Sequence, residues 1–211
     1  MPSTSDEINS LLKVDINGPE FTSLVNYLVK KGVAITSTLP VFETFTPGRR
    51  VAPSGELDAM LPEAREQYLR RWSLIASHPN SPWVEMFKKG MQMEKKFYDA
   101  GGLLLVGTDP TGYGGVVAGY SNSRAIELLV EEGLSPVEAI KVATLNGAKY
   151  IGKDKEIGTI ATGKIADLVV VEGDPSENIK DIEKVETVFK NGIGYDSQKL
   201  FDSVKGTVGL N

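Results

Sequence analysis

The sequence predicts an α/β fold with parallel strands, on three observations. Short apolar runs at 33–41 and 103–107 read as buried strands, the first rich in β-branched residues and the second in leucine. Apolar residues at helical spacing occupy the stretches before, between and after them. The resulting order is helix, strand, helices, strand, helices, the pattern of parallel strands joined by helical crossovers. The last quarter follows a different, antiparallel grammar.

The first helix is expected near 19–31. Phe21, Leu24, Val25, Leu28 and Val29 fall on one side, Pro19 suits the first turn and Gly32 the C-terminal cap. The strand at 33–41 follows directly, then a loop rich in Pro, Gly and Arg at 44–56. Two helices are expected at 57–72 and 81–100, separated by the turn-forming run Ser77-His78-Pro79-Asn80-Ser81-Pro82. Trp83, Met86, Phe87, Met91 and Phe97 lie roughly on one side of the second and read as core packing. Gly101-Gly102 stop that helix before the strand at 103–107.

A helix at about 121–132 buries Ala125, Ile126, Leu129 and Val130, and ends at Gly133. The next opens on Ser135-Pro136-Val137-Glu138, a capping box with proline at the first helical position. Beyond a boundary near 151, short strands are expected at 157–160, 166–171 and 185–188, separated by Gly-Lys, Gly-Asp-Pro and Asn-Gly turns. This divides the chain into 1–150, 151–203 and a tail at 204–211.

Composition narrows the function. The 211 residues carry 23 Lys and Arg against 28 Asp and Glu, and this net charge of −5 with no basic stripe speaks against nucleic acid or an anionic membrane as partner. There is no cysteine, so thiolate ligands and Cys nucleophiles are excluded, and His78 is the one histidine. The N-terminal run lacks a basic and an apolar region, and the longest apolar run is Leu103–Val106, so a cytoplasmic location is the default expectation.

Two glycine motifs fail on physical grounds. Gly158 to Ile165 nearly spells a phosphate-binding loop, but Ile165 offers no hydroxyl to a metal and a strand follows instead of a helix. The loop 107–115 lacks the third glycine of a dinucleotide fingerprint, since Val117 stands there. What remains is Asp109, just past the C-terminal end of a parallel strand, the edge from which catalytic side chains project in α/β folds. An Asp capping the turn would look the same in sequence. His78 reads as a surface loop residue, and Arg49-Arg50 and Arg70-Arg71 as solvated faces.

Gly107-Thr108-Asp109, the helix from Arg124 to Pro136, the run Glu138-Ala139-Ile140 to Ala143-Thr144-Leu145-Asn146, and the tail from Ile157 to Pro175 together resemble the end of an amidohydrolase-superfamily enzyme, of the imidazolonepropionase-like and prolidase-like branch. The resemblance covers about residues 15–203. It implies the C-terminal part of a (β/α)8 barrel, with the strands at 33–41 and 103–107 as its last two, plus part of a small β-sandwich. It implies a divalent metal, zinc by preference, in the complete family enzyme. It makes Asp109 a metal-binding and catalytic residue that takes a proton from the attacking water. The family's His-x-His, later histidines and bridging Lys have no counterpart in this sequence.

A whole barrel takes roughly 250 residues, so an N-terminal portion is expected to be missing. The isolated chain is expected to bind no stoichiometric metal and to be inactive. It is also expected either to self-associate through its open strand edges or to stay partly molten. The complete enzyme would hydrolyse C–N bonds of small-molecule amides, non-peptide or dipeptide-like, with Tyr113 and Tyr120 available to line a pocket. The alternative is a non-catalytic α/β binding module using the glycine-rich loop at 107–115, a reading that gains from direct pairing of the two strands.

Overall fold

The structure is a computed structural model that describes residues 4–110 and 115–209. Helices α1 (Thr4–Leu12) and α2 (Pro19–Lys30) lead into strand β1 (Ala34–Ser37). Gly32 ends α2 at φ 67, a conformation that suits a residue without Cβ. The predicted strand does not run on to 41. Leu39–Thr44 form a short buried helix, α3, because Pro40 has no N–H to give a ladder but fits a first helical turn.

The helix predicted at 57–72 is two. Helix α4 (Ser54–Ala59) ends at an extended Met60, which bridges to Val208, and Pro62 starts α5 (Pro62–Ala76). Helix α6 (Trp83–Asp99) carries the Met and aromatic stripe into the interior, with Phe87 at 5% and Phe97 at 1% exposure. Phe97 then lies so close to Gly102 that any Cβ there would sit 2.4 Å from its ring.

Strand β2 (Leu103–Val106) pairs with β1 in parallel, from Ala34 opposite Leu103 to Ser37 opposite Val106. Consecutive strands of a barrel also pair this way, so the pairing does not favour the stand-alone module. Gly107 N–H donates to the Ser37 carbonyl at 2.8 Å. Strand alternation therefore turns Leu104 to the other edge, where its carbonyl accepts from the buried Asn146 side chain at 2.9 Å. Asn146 closes a π-helical turn, Val142–Asn146, between α8 (Pro136–Lys141) and α9 (Gly147–Tyr150). Helix α7 (Tyr120–Glu132) ends on left-handed Gly133, and the predicted Ser135–Glu138 capping box is present in full at the start of α8. Leu104, Leu129, Leu134, Ala139 and Val142 form the core between β2 and these helices.

The second sheet is antiparallel, β3 (Leu168–Val171), β4 (Val185–Lys190) and β5 (Ile193–Asp196), with helix α10 (Ser197–Ser203) after it. The expected strand at 157–160 is absent. That segment is drawn into a turn by Lys164, whose ammonium donates to the Asp154 and Ile157 carbonyls and to Thr159 Oγ1. The third strand is β5, missed by the sequence reading. It hangs on Asn191-Gly192, at φ 51 and 79, the positive angles a two-residue hairpin demands.

Candidate active site

The C-terminal end of β2 is built to bring backbone close to backbone. A Cβ on Gly107 would sit 2.6 Å from Thr36 Cγ2, so only glycine lets the chain leave β2 against β1. Two residues on, Asp109 has φ 50. Asp tolerates this left-handed region better than most side chains, and non-glycine residues held there concentrate at functional sites. Asp109 therefore stands past the strand end where the sequence reading put it, three residues beyond the last strand position.

The tyrosines fare differently. Tyr113 lies outside the described residues, as do Gly112 and Gly114. Tyr120 opens α7, stacks on Phe201 with ring centroids 4.7 Å apart and packs on the cluster of Met60, Tyr68 and Val117. Its ring occupies a packing position.

A charge network that the sequence reading missed joins α3, the loop after it and α7. Arg49 and Arg50 are not a solvated face. Arg49 bridges Glu43 at 2.7 Å and Glu131 at 2.5 Å, while Arg50 reaches Glu183 at 2.7 Å and Glu127 at 3.5 Å. Arg124 is the hub. It meets Glu43 at 2.7 Å, Glu127 at 2.5 Å and Glu131 at 2.7 Å, with its side chain only 11% exposed. Burial opposes its charge, but the Glu43 hydrogen bond and the surrounding carboxylates hold it protonated above the usual arginine range. Burial raises Glu127, whereas Arg49 and Arg124 outweigh burial and lower Glu131. Arg70, by contrast, is exposed beside Glu66 as expected.

A cavity of about 40 Å³ opens inside this network, lined by Glu43, Arg50, Glu56, Tyr68, Ser121 and Arg124 among others. Such a space is on the scale of a few waters. Glu56 accepts the Val117 N–H at 3.2 Å, and burial pushes its carboxyl up to about 7. Tyr68 accepts the Ala52 N–H at 2.9 Å.

A second acidic pair sits between α6 and α7. Burial pushes Glu94 to about 7 against a hydrogen bond from Ser37, and pushes Glu132 to about 9 with Glu94 adding repulsion. Three of their four carboxyl oxygens are buried without a hydrogen-bond partner.

A catalytic zinc site needs about three protein ligands and an open position. Among the described residues no three His, Cys, Asp or Glu side chains are grouped to hold a metal ion. His78 is exposed in its loop, hydrogen-bonded to Ser77 Oγ and the Leu74 carbonyl. The donor set of this chain alone does not fit the metal that the resemblance implies. Among the described residues no helix is long and apolar enough to cross a membrane.

These features define an α/β protein in which Asp109 lies beyond the C-terminal end of a parallel strand pair. Residues 56–193 match the family model described as the amidohydrolase family, and the chain belongs to that family and superfamily. It is similar to adenine deaminase 3 of Rhizobium meliloti (strain 1021), 31% identical over 90 residues, which are 43% of this chain and 15% of that protein. Among solved structures, a bottromycin amidohydrolase superposes with TM-score 0.62 at 21% identity, over 82% of this chain and 39% of that one. A Xaa-Pro dipeptidase with methionine bound in its active site superposes with TM-score 0.58 at 23% identity, over 85% and 38%. At these identities the structures establish a shared α/β fold over most of the chain. The chain spans 15% or less of the curated relatives and under two fifths of these structures.

Proposed function

We propose that this chain is the C-terminal part of a metal-dependent amidohydrolase acting on C–N bonds, with Asp109 as its catalytic carboxylate. In this reading β1 and β2 are the last two strands of a (β/α)8 barrel within residues 1–150, and 151–203 contribute strands to a composite β-sandwich. The carrying observation is Asp109 itself, held at φ 50 beyond the C-terminal end of β2 inside the family-matched stretch. Its carboxylate accepts the proton of a water whose oxygen bonds to the substrate carbon. The C–N bond then breaks and the proton passes to the departing nitrogen. A divalent metal, if held by ligands from outside this chain, would supply Lewis-acid activation of water and substrate. Its imidazole ligands have to come from residues beyond these 211, in the same or another polypeptide.

The relatives suggest two substrate classes to try, the exocyclic amine of adenine and Xaa-Pro dipeptides. The test assays the purified chain with added zinc, alone and co-expressed with a polypeptide carrying the preceding barrel strands and a His-x-His. Turnover is expected in the co-expressed assembly only, and D109N is expected to abolish it. Full activity in assembled D109N overturns the assignment of Asp109. Turnover by the chain alone overturns the need for outside ligands. No turnover by either preparation, on either substrate, counts against the hydrolase reading and favours a binding module using 107–115.

A further inference from the structure

We propose that the segment 206–209 is a detachable docking peptide and the junction between α4 and α5 its receptor. The chain fills this strand-addition site with its own tail, and a separate copy of the segment fills it when that tail is disabled. Nothing in this depends on Asp109 or on the hydrolase reading.

The receptor is made by a helix break. Pro62 has no N–H, so the Asp58 carbonyl lacks the donor that a continuous helix would place four residues on. Met60 and Leu61 are extended, both at ψ 145, which leaves the Leu61 N–H for an acceptor outside the helix. The tail takes these groups in order. Gly206 N–H donates to the Asp58 carbonyl at 2.8 Å, and the Thr207 and Val208 N–H groups donate to the Ala59 carbonyl at 3.1 and 2.9 Å. Leu61 N–H donates to the Val208 carbonyl at 2.8 Å, and Met60 and Val208 form a parallel bridge. An extended peptide added to an open backbone edge binds in this way, with main-chain bonds for affinity and side-chain pockets for specificity.

Three positions of the tail carry the specificity. Val208 packs on the cluster of Ala52, Ala59, Met60, Tyr68 and Val117. Gly206 turns the chain out of α10 at φ 66, which suits a residue without Cβ. A Cβ on Gly209 would lie 3.0 Å from Ala64 Cβ and 3.2 Å from Leu61 Cδ1, so the backbone passes α5 closely only as glycine. The recognised pattern is therefore Gly-Thr-Val-Gly. An open groove of about 480 Å³ runs beside it, lined by Met60, Pro62, Arg65 and Leu69 together with Lys205 and Gly206 of the tail. A segment that forms part of the wall of an open groove is covered on one side only and has room to leave.

The test follows amide hydrogen exchange at Leu61 and in β2 on the full chain, as wild type, Val208→Asp and Gly209→Leu. It then adds a synthetic peptide of residues 205–211 at several times a millimolar concentration, the order of the effective concentration that a short tether gives the chain's own tail. Both variants are expected to speed exchange at Leu61 about tenfold, the loss of one hydrogen bond, with β2 as protected as in wild type. The peptide is expected to restore Leu61 protection in both variants, and a peptide carrying Val208→Asp to restore neither. If Val208→Asp loses β2 protection, Gly209→Leu, whose side chain meets α5 outside the cluster, decides. Loss of β2 protection in both variants overturns the proposal, since the tail is then an inseparable part of the core. Wild-type protection at Leu61 in both variants overturns it too, as does a peptide that restores nothing, or equal restoration by the substituted peptide. No readout needs turnover, so a failed hydrolase assay leaves this outcome untouched.

Discussion

The two sheets of this chain are stabilised by different means. Among the described residues, every buried apolar side chain lies between Ile8 and Ala148. From 151 to 209 the buried residues are Asp181 and Ser197, both polar. The parallel pair β1–β2 is thus backed by a helix-covered core and flanked by a buried ion network. The antiparallel sheet β3–β5 has hydrogen bonds and turn chemistry instead. Asp167 takes the Asn191 N–H and the Lys190 ammonium, Asp181 the Asp174 N–H, and Asp196 caps α10 through the Lys199 N–H. Val169 opposite Val188 and Tyr195 makes one face apolar, yet Val169 is 58% exposed and Tyr195 43%. Regular secondary structure does not by itself supply a core, and a sheet with an uncovered apolar face is half of a layered arrangement.

The largest way to break this contrast is R124A. It leaves Glu43, Glu127 and Glu131 without their shared cation, and removing one partner of a buried network typically costs about 3–5 kcal/mol. Urea unfolding should show that loss in the probes of β2 and α7. An R124A chain as stable as wild type would place the network outside the energetics of the core half.

Next in size is the pH dependence. Glu56 and Glu94 are raised to about 7 and Glu132 to about 9, all from the same unperturbed 4.5. The folded state therefore binds more protons than the unfolded one across that window, so stability is full below about pH 4.5 and falls as pH rises through 7 to 9. Thermal melts should give a lower Tm at pH 8.5 than at pH 5. E132Q should recover about 1–3 kcal/mol at the higher pH and less at the lower. All three carboxyls belong to the core half, so β3–β5 should not respond.

A smaller effect tests the other half. V169K with Y195K should leave the melting temperature within a few degrees and reduce concentration-dependent association in sedimentation velocity, if association runs through the open face. Association unchanged by the pair would move attention to the edges of β1 and β2. The smallest effect is expected from zinc. Elemental analysis of the purified chain should find well under one ion per chain, and H78A should not alter the figure. A stoichiometric ion lost in H78A would overturn the reading of His78 as a surface residue.

Much of the fold was legible in sequence because it is written in local chemistry. The capping box at Ser135, the terminating Gly32 and Gly133, the apolar stripe of α6 and the parallel strands each have a signal within a few residues. The misreadings share a cause. Leu39–Val41 look like strand continuation, and only Pro40 hints at a helix. The segment 157–160 is a short run between turn residues like the strands after it, but Lys164 claims its Ile157 carbonyl and its Thr159 hydroxyl. Strand β5 was announced by Asn191-Gly192, whose positive-φ preference pointed to a hairpin that its exposed residues did not.

The sequence alone determined the α/β class, the place of Asp109 past a parallel strand and the shortage of imidazoles, since each depends on residue type and near-neighbour order. Tertiary structure decided that Arg49 and Arg50 join a buried network, that Glu56 reaches Val117 and that the second sheet lacks a core. The bonds of Arg49 to Glu131, of Arg50 to Glu127 and Glu183, and of Glu56 to Val117 join residues 61 to 133 positions apart, where pairing depends on which faces the folded chain brings together.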